Sequence, residues 1–522
     1  MSEASNKLAW FGGGDVRSRI WTMAFVMIPL GLGVGLCAHI TKPFIGYQEW
    51  GSTIWAQTAY NNLRAGLTTT LGVPTGMYCG PLPIPANGYF TDHPAGLPLA
   101  VTAMFAVFGE HEWAARAIPI ACSLASALML WWLVRSCAGV RVATLSVAVF
   151  ATQPMELYFG RVVDHEACGL MWIAASLCCL RCWHLTRQTR WRVLTLASLF
   201  LGMWTSWPVY IFAGIAALWL LSTRRKAEVH FGLAIAALGI ASAGLYLVHI
   251  RLVRPDAWDS LLAIFRFRVA TGSAGAANVP WGSWFATQLE FLFLRFSPTA
   301  WGLFLIGAVH LARYRSASEN LQWLAGGTLC AFITAALWVV IFRNGSYLHS
   351  FWSFYFLLPV SIMGGYGFDL LLSLQEKGIG SRQVQRLAAI AASFAILLLV
   401  TWGYWGTSEL HRRQYQITDG ETSEPLHLIP ILVKTIEKVF PIDTFIITNI
   451  GQSMPLEFYA HRNFIYFGEY SDWQEVLRYQ GNRCRGVIWM ESPGADKLLA
   501  ALPQGHREII QIGDRHFCLW SP

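Results

Sequence analysis

Charge is what this 522-residue chain has least of. Only 13% of its residues are Asp, Glu, Lys or Arg, about half the share of an ordinary soluble domain. With 55% hydrophobic residues and a mean hydropathy of +0.43, a water-soluble globule is excluded. No small-residue cleavage site follows the first apolar run, near Ile20 to Ile40. That run is too long for a signal-peptide core and is read as a retained span. There is no internal repeat and no low-complexity linker. The eleven cysteines form no disulfide framework. Cys37, Cys122, Cys168, Cys178, Cys179 and Cys330 lie inside apolar runs, where a thiol is a small apolar side chain. Cys79, Cys484 and Cys518 fall outside them, and sequence does not decide whether Cys484 and Cys518 are bridged.

What the chain does have is apolar runs of about 18 residues or more, each long enough to cross roughly 30 Å of hydrocarbon. Lipid cannot satisfy backbone N–H and C=O groups, so these runs must be helices. The net charge of +8 is unevenly spread. From residue 407 onward there are 11 Lys+Arg and 14 Asp+Glu, a net of −3, leaving 27 − 16 = +11 for the apolar part. That excess sits in short connections between runs, a topology signal and not a nucleic-acid footprint. The alternation places residues 1–19 in the cytoplasm and residues 20–406 in a multi-span domain of about eleven spans. It puts a large first outer loop at 41–116. Arg135, Arg141, Arg187, Arg190, Arg192 and the Arg224–Lys226 cluster fall inside. Trp204 to Pro208 breaks one apolar stretch into two short helices with an outer turn. Ala95 to Phe108 is apolar but too short to span, as expected of a re-entrant helix.

From residue 407 to 522 the pattern becomes a small outer α/β domain. LIPILVKTIEKVF, SDWQEVLRYQ and GADKLLAALP have helical character, the second with a Ser-x-x-Gln capping box. DTFIITNI, FIYFG, GVIWM and EIIQIG are expected strands. This part has no Gly-rich phosphate loop. The fold class is therefore mostly α: a polytopic helical membrane protein with a C-terminal α/β domain outside the membrane.

The chemistry-bearing residues gather on the outer side. Glu49 lies about nine residues beyond the first span and is placed to take a proton from an acceptor hydroxyl or amine. Asp92 and His93 precede Pro94 where the loop re-enters the membrane. They are placed to bind a phosphate or metal or to relay a proton, and equally Asp92 is placed to cap a helix. Arg161, Asp164, His165 and Glu166 form a second cluster at an outer boundary, where ionisable groups mark substrate or ion pathways. His and carboxylates from two loops also form a set that would hold a divalent metal, without a sharper spacing signature. Arg266, Arg268, Arg343 and His349 are outer cations, with FRFR the natural phosphate clamp. Trp50, Trp55, Tyr60, Tyr89 and Trp113 enrich the first loop in aromatics. Asn344-Gly-Ser is a short glycosylation sequon on the same side.

These motifs resemble a family. The loop acid, the A-x-N-x-L-R-x-G-L helix, the Y-F-x-x-H-P re-entry and the F-G-x-x-E-W-A-A-R exit are similar to those of the GT-C glycosyltransferases. Within them the chain resembles the polyprenyl- or dolichyl-phosphate-sugar-dependent, family 39-like transferases, such as protein mannosyltransferases and the lipid A aminoarabinose transferase. The likeness covers roughly residues 20 to 405, including Tyr355 and Pro359. It implies inverting transfer of a sugar from a polyprenyl-phosphate donor to a lipid, glycan or protein acceptor at the outer face of the cell inner membrane. It also implies an outer-loop carboxylate base, which Glu49 matches, with Asp92 and Asp164 as further catalytic candidates. The chain departs from the family with Gln48-Glu49 where many members have Asp-Glu, and with His93-Pro94-Ala95 where many have His-Pro-Pro. The alternative is a transporter or flippase of a lipid-linked or anionic substrate, though such proteins are often built from paired repeats.

Overall fold

The computed structural model describes residues 16–269, 279–314, 318–376, 381–412, 428–442, 444–448, 450, 454–466, 484–490, 505–512 and 515–521. Helices dominate. Those used below are α1 (Val16–Cys37), α2 (Trp50–Ala65), α3 (Gly96–Phe108), α4 (Glu112–Ala138), α5 (Val140–Ala151), α6 (Pro154–Phe159), α7 (His165–Thr186), α8 (Thr189–Met203), α9 (Pro208–Ser222), α10 (Lys226–Val253), α11 (Ala257–Arg268), α12 (Trp281–Arg295), α13 (Pro298–Tyr314), α14 (Glu319–Ile341), α15 (Leu357–Glu376), α16 (Arg382–Arg412), α17 (Ile429–Val439) and α18 (Met454–Ala460).

By length and composition, seven described helices can cross a membrane, or eight if the bent α12–α13 pair counts as one span. The expected eleven is reached only by adding shorter helices such as α5 and α9. Side chains such as those of Ile240, Val248 and Leu397 stay exposed on these helices, as lipid-facing surfaces require. The α12–α13 bend of 97° falls at Phe296-Ser297-Pro298. Pro298 starts the second helix without needing an N–H partner, and the Ser297 amide donates to Gln153 Oε1 at 2.9 Å. The last long helix runs on to Arg412, past the expected end near Trp405.

α7 is 22 residues long, about 33 Å at 1.5 Å per residue. Asp164 and His165 lie at its start and Arg187 just past its end. The basic clusters and the acidic loop residues therefore occupy opposite ends of the bundle.

The first loop is held by its own polar side chains. Asn61 Nδ2 donates to Thr75 O at 3.0 Å and Tyr78 O at 2.6 Å. Asn62 Nδ2 donates to Thr102 Oγ1 at 3.0 Å and its Oδ1 accepts from Thr70 at 2.6 Å. Thus the W-A-Q-T-A-Y-N-N-L stretch of α2 pins the loop to α3, because buried amides must be paired.

The C-terminal part forms a five-stranded sheet of order β2-β1-β3-β5-β4, from β1 (Phe445–Thr448), β2 (Asn463–Tyr466), β3 (Cys484–Met490), β4 (His506–Ile512) and β5 (Arg515–Ser521). The first three strands are parallel, and β5 is antiparallel to β3 and β4. All four expected strands and α17 are present; β5 and α18 carried no clear sequence signal. The helices expected over residues 471–480 and 494–503 lie outside the described residues. Cys518 pairs with Trp489, five residues along β3 from Cys484. At about 3.3 Å per residue that separation is far beyond disulfide reach, so the two are not bridged.

The sheet domain packs on the first loop. Phe458 joins Phe44 and Trp55 in one core, Tyr459 Oη donates to Glu112 at 3.0 Å, and the Cys79 amide donates to Asn463 Oδ1 at 3.1 Å.

Candidate functional site

The Trp204–Pro208 turn organises the site. Trp204 O accepts from the Gly96 amide at 2.7 Å, seating the start of α3. Thr205 O accepts from His165 Nδ1. A carbonyl can only accept, so Nδ1 carries the proton and Nε2 is left as an acceptor. Trp207 Nε1 donates to Asp92 O at 2.6 Å, and Ser206 Oγ lies 2.8 Å from Tyr355 Oη. The sequence marked this segment as a break between helices; nothing in it showed that its carbonyls and side chains hold the site.

Around this turn lies a cavity of about 60 Å³. His93, Asp164, His165, Glu166, Arg268 and His349 all line it, between the indoles of Trp50, Trp55, Trp207, Trp338 and Trp352. The His93 ring stacks on His165 at 5.1 Å, and both contact Trp55. Asp164 accepts from the His165 amide at 2.8 Å and from Trp55 Nε1 at 3.2 Å. Its other oxygen faces Gly51, where a Cβ would sit 3.1 Å away. Burial pushes the Asp164 carboxyl above the usual range; the His165 amide, His93 and the Trp55 N–H only partly oppose it. Glu166 Oε2 and His165 Nε2 are buried without a hydrogen-bond partner among the described residues.

Asp92 is buried, and its Oδ2 accepts from Arg268 at 2.7 Å while Oδ1 lies 3.3 Å from His93 Nδ1. Burial alone would raise its pKa, but His93 and Arg268 hold it below the ordinary value. Asp92 does not cap a helix: α3 begins at Gly96 after Ala95. Burial, with the charges of Arg268 and His93, pushes His349 down to about 3, so it is neutral near pH 7.

Beside the cleft runs an apolar groove of about 420 Å³, walled by Tyr210, Ile211, Trp258, Leu261, Leu262 and Phe265. It shares Trp207, Arg268 and Trp338 with the cleft.

The remaining expected residues lie elsewhere. Glu49 is buried outside the cleft lining. Its Oε2 accepts from Arg116 and the Gly46 amide, both at 3.1 Å, and Arg161 lies 3.8 Å from Oε1. Arg161 also donates to Ala38 O at 2.7 Å and meets His411. Arg343 stacks over Trp281 at 4.3 Å. Arg266, at the end of α11, is exposed. Asn344 is buried and donates to Phe267 O at 3.0 Å, which anchors α11 and removes the sequon from reach of modification. No group of three His, Cys, Asp or Glu residues among the described residues is placed to hold a metal ion.

Residues 92–249 match the family described as dolichyl-phosphate-mannose-protein mannosyltransferase. That match begins at Asp92 and includes Asp164, His165 and Glu166. No curated protein matches the chain by sequence. Among solved structures, ArnT from Cupriavidus metallidurans bound to undecaprenyl phosphate is similar over 96% of this chain and 98% of its own, at 12% identity and TM-score 0.61. The Archaeoglobus fulgidus oligosaccharyltransferase is similar over 89% of this chain and 68% of its own, at 13% identity and TM-score 0.55. The arabinofuranosyltransferase AftD from Mycobacteria matches 97% of this chain and 40% of its own, at 12% identity and TM-score 0.51. At such identities the structures establish a common fold. The chain has the multi-span helical fold of these membrane glycosyltransferases, and its residues 92–249 match the mannosyltransferase family.

Proposed function

We propose that this enzyme transfers a sugar from a polyprenyl-phosphate-linked donor to a hydroxyl- or amine-bearing lipid, glycan or protein acceptor, at the outer face of the membrane. The observation that carries this reading is the joining of a cleft of carboxylates and histidines to an apolar groove at Arg268. A lipid-linked sugar has the same two-part character. Its isoprenoid chain fits the groove, its phosphate meets a guanidinium, and its sugar enters the aromatic cleft. The undecaprenyl phosphate bound by the similar ArnT supports this choice of carrier. The positive-inside distribution supports the outer face, since the cleft lies opposite the basic clusters.

The base is assigned to Asp164 in preference to Glu49. Asp164 lines the cleft and its raised pKa strengthens it as a proton acceptor. Glu49 is enclosed by Arg116 and Arg161 outside the cleft lining. In the step, the acceptor oxygen or nitrogen attacks the anomeric carbon and its proton passes to Asp164. The bond from that carbon to the phosphate oxygen breaks with inversion. The polyprenyl phosphate leaves with the bonding pair, and Arg268 balances the added charge. Asp92 orients Arg268, and the stacked His93 and His165 hold Trp55 against Asp164. Residues 407–522 are read as an outer domain that braces the first loop. Incubating the purified enzyme with a panel of polyprenyl-phosphate sugars and assaying free polyprenyl phosphate tests the reading; no release from any donor would oppose it.

A further inference from the structure

Trp338 is a cleft donor that the carrier reading has not used. Trp338, in the last turn of α14, is only 4% exposed. Its ring packs against Trp352 at 4.5 Å and 32°, and against Phe342 at 4.6 Å and 55°. Those contacts fix the indole plane, yet Nε1–H is buried with no hydrogen-bond partner among the described residues. Leaving such a donor unpaired costs free energy, and a buried indole N–H usually finds an acceptor. Trp191, Trp204, Trp402 and Trp489 also carry buried indole nitrogens without partners. Trp338 differs from them in place: it alone of the five lines both the cleft and the apolar groove. The other two residues shared by those cavities are already engaged. Trp207 Nε1 donates to Asp92 O and one Arg268 amino group donates to Asp92 Oδ2. The guanidinium still has further N–H groups to offer.

Resting on the proposed carrier, we infer that the Trp338 indole N–H is a binding donor to the phosphate headgroup of the lipid, held opposite Arg268 where groove meets cleft. The two donors divide the recognition. Arg268 supplies charge, while Trp338 supplies a directed neutral hydrogen bond that a polyprenol, lacking the phosphate, would not use. A fixed indole also sets the depth to which the headgroup enters, and so the position of the scissile bond relative to Asp164.

The test measures binding of a polyprenyl phosphate and of the matching polyprenol to the full-length protein in nanodiscs. Trp338→Phe keeps a stacking ring and removes the donor. Trp191→Phe removes an unpartnered N–H in a cavity away from the cleft. Loss of a hydrogen bond to a charged group predicts about tenfold weaker binding of the polyprenyl phosphate in Trp338→Phe. Polyprenol binding should be unchanged, and Trp191→Phe should behave as the parent protein. Unaltered phosphate binding in Trp338→Phe, or equal weakening for both lipids, would overturn the assignment. Displacement of the lipid by inorganic phosphate would overturn its lipid character. If the parent protein shows no preference for polyprenyl phosphate over polyprenol, the carrier reading itself fails, a separable outcome. Should Trp338→Phe not fold, the benzothiophene analogue of tryptophan at position 338 exchanges N–H for sulfur at constant shape and carries the same comparison.

Discussion

Asp164 is the residue on which the proposed base assignment is tested by substitution. Asp164→Asn keeps the hydrogen-bonding shape and removes the proposed base, so turnover should fall by about 10²–10⁴-fold with donor binding little changed. Burial holds its pKa above the free value of 3.8, so the acid limb of kcat/KM should lie above that of a free aspartate. Trp55→Phe removes a donor that favours the ionised form. It should move that limb to still higher pH, and a pH–rate profile of the variant reads the shift directly. Glu49 separates from Asp164 in the same assays. Glu49→Gln leaves Arg116 and Arg161 without their buried counter-charge, which typically costs about 3–5 kcal/mol. A lowered unfolding midpoint with an unmoved acid limb is the expected outcome; loss of the limb itself would return the base to Glu49. The sequence showed Asp92, His93, Asp164 and His165 as ionisable residues near lipid, and their type alone made them candidates. It could not show that Glu49, conspicuous as the acid of the family-like loop, would be enclosed by Arg116 from 67 residues away.

At the scale of elements, α2 couples the cleft to the sheet domain. One part of the helix presents Trp50, Gly51, Ile54 and Trp55 to the cavity, while α18 packs on the same helix. Within α18, Glu457 is buried, accepts from the Phe464 amide at 3.2 Å, and is pushed up by burial to about 8. Its protonated form therefore favours the fold. That contribution is fullest below the unfolded value near 4.5 and is lost as pH rises toward about 8. Glu457→Gln keeps an acceptor and never ionises, so its unfolding midpoint should exceed that of the parent by a margin that widens from pH 5 to pH 8. A margin independent of pH would contradict the burial argument. The helices and four strands were legible because apolar runs and β-branched clusters are local signals. The Trp204–Pro208 turn was legible as a break but not as the organiser of the site, because the partners of its carbonyls and of Ser206 and Trp207 lie far away in sequence. β5 was missed for a related reason: its pairing with β3 and β4 is settled by tertiary contacts.

For the whole molecule, α7 sets the cleft and the basic clusters at opposite ends of a span-length helix. The layout proposed from Lys and Arg bias has Arg225 in the cytoplasm and the sheet domain outside. With Arg225→Cys and Ile442→Cys, both at exposed positions, a membrane-impermeant thiol reagent should label only the second from the outside. Labelling of both from one side would contradict the layout. The most direct test of the central claim is product analysis with purified parent enzyme and Asp164→Asn, each given a polyprenyl-phosphate sugar and acceptor. The account predicts release of free polyprenyl phosphate with an inverted sugar on the acceptor in the parent, and release slower by about 10²–10⁴-fold in Asp164→Asn. Equal release by the two proteins would contradict it.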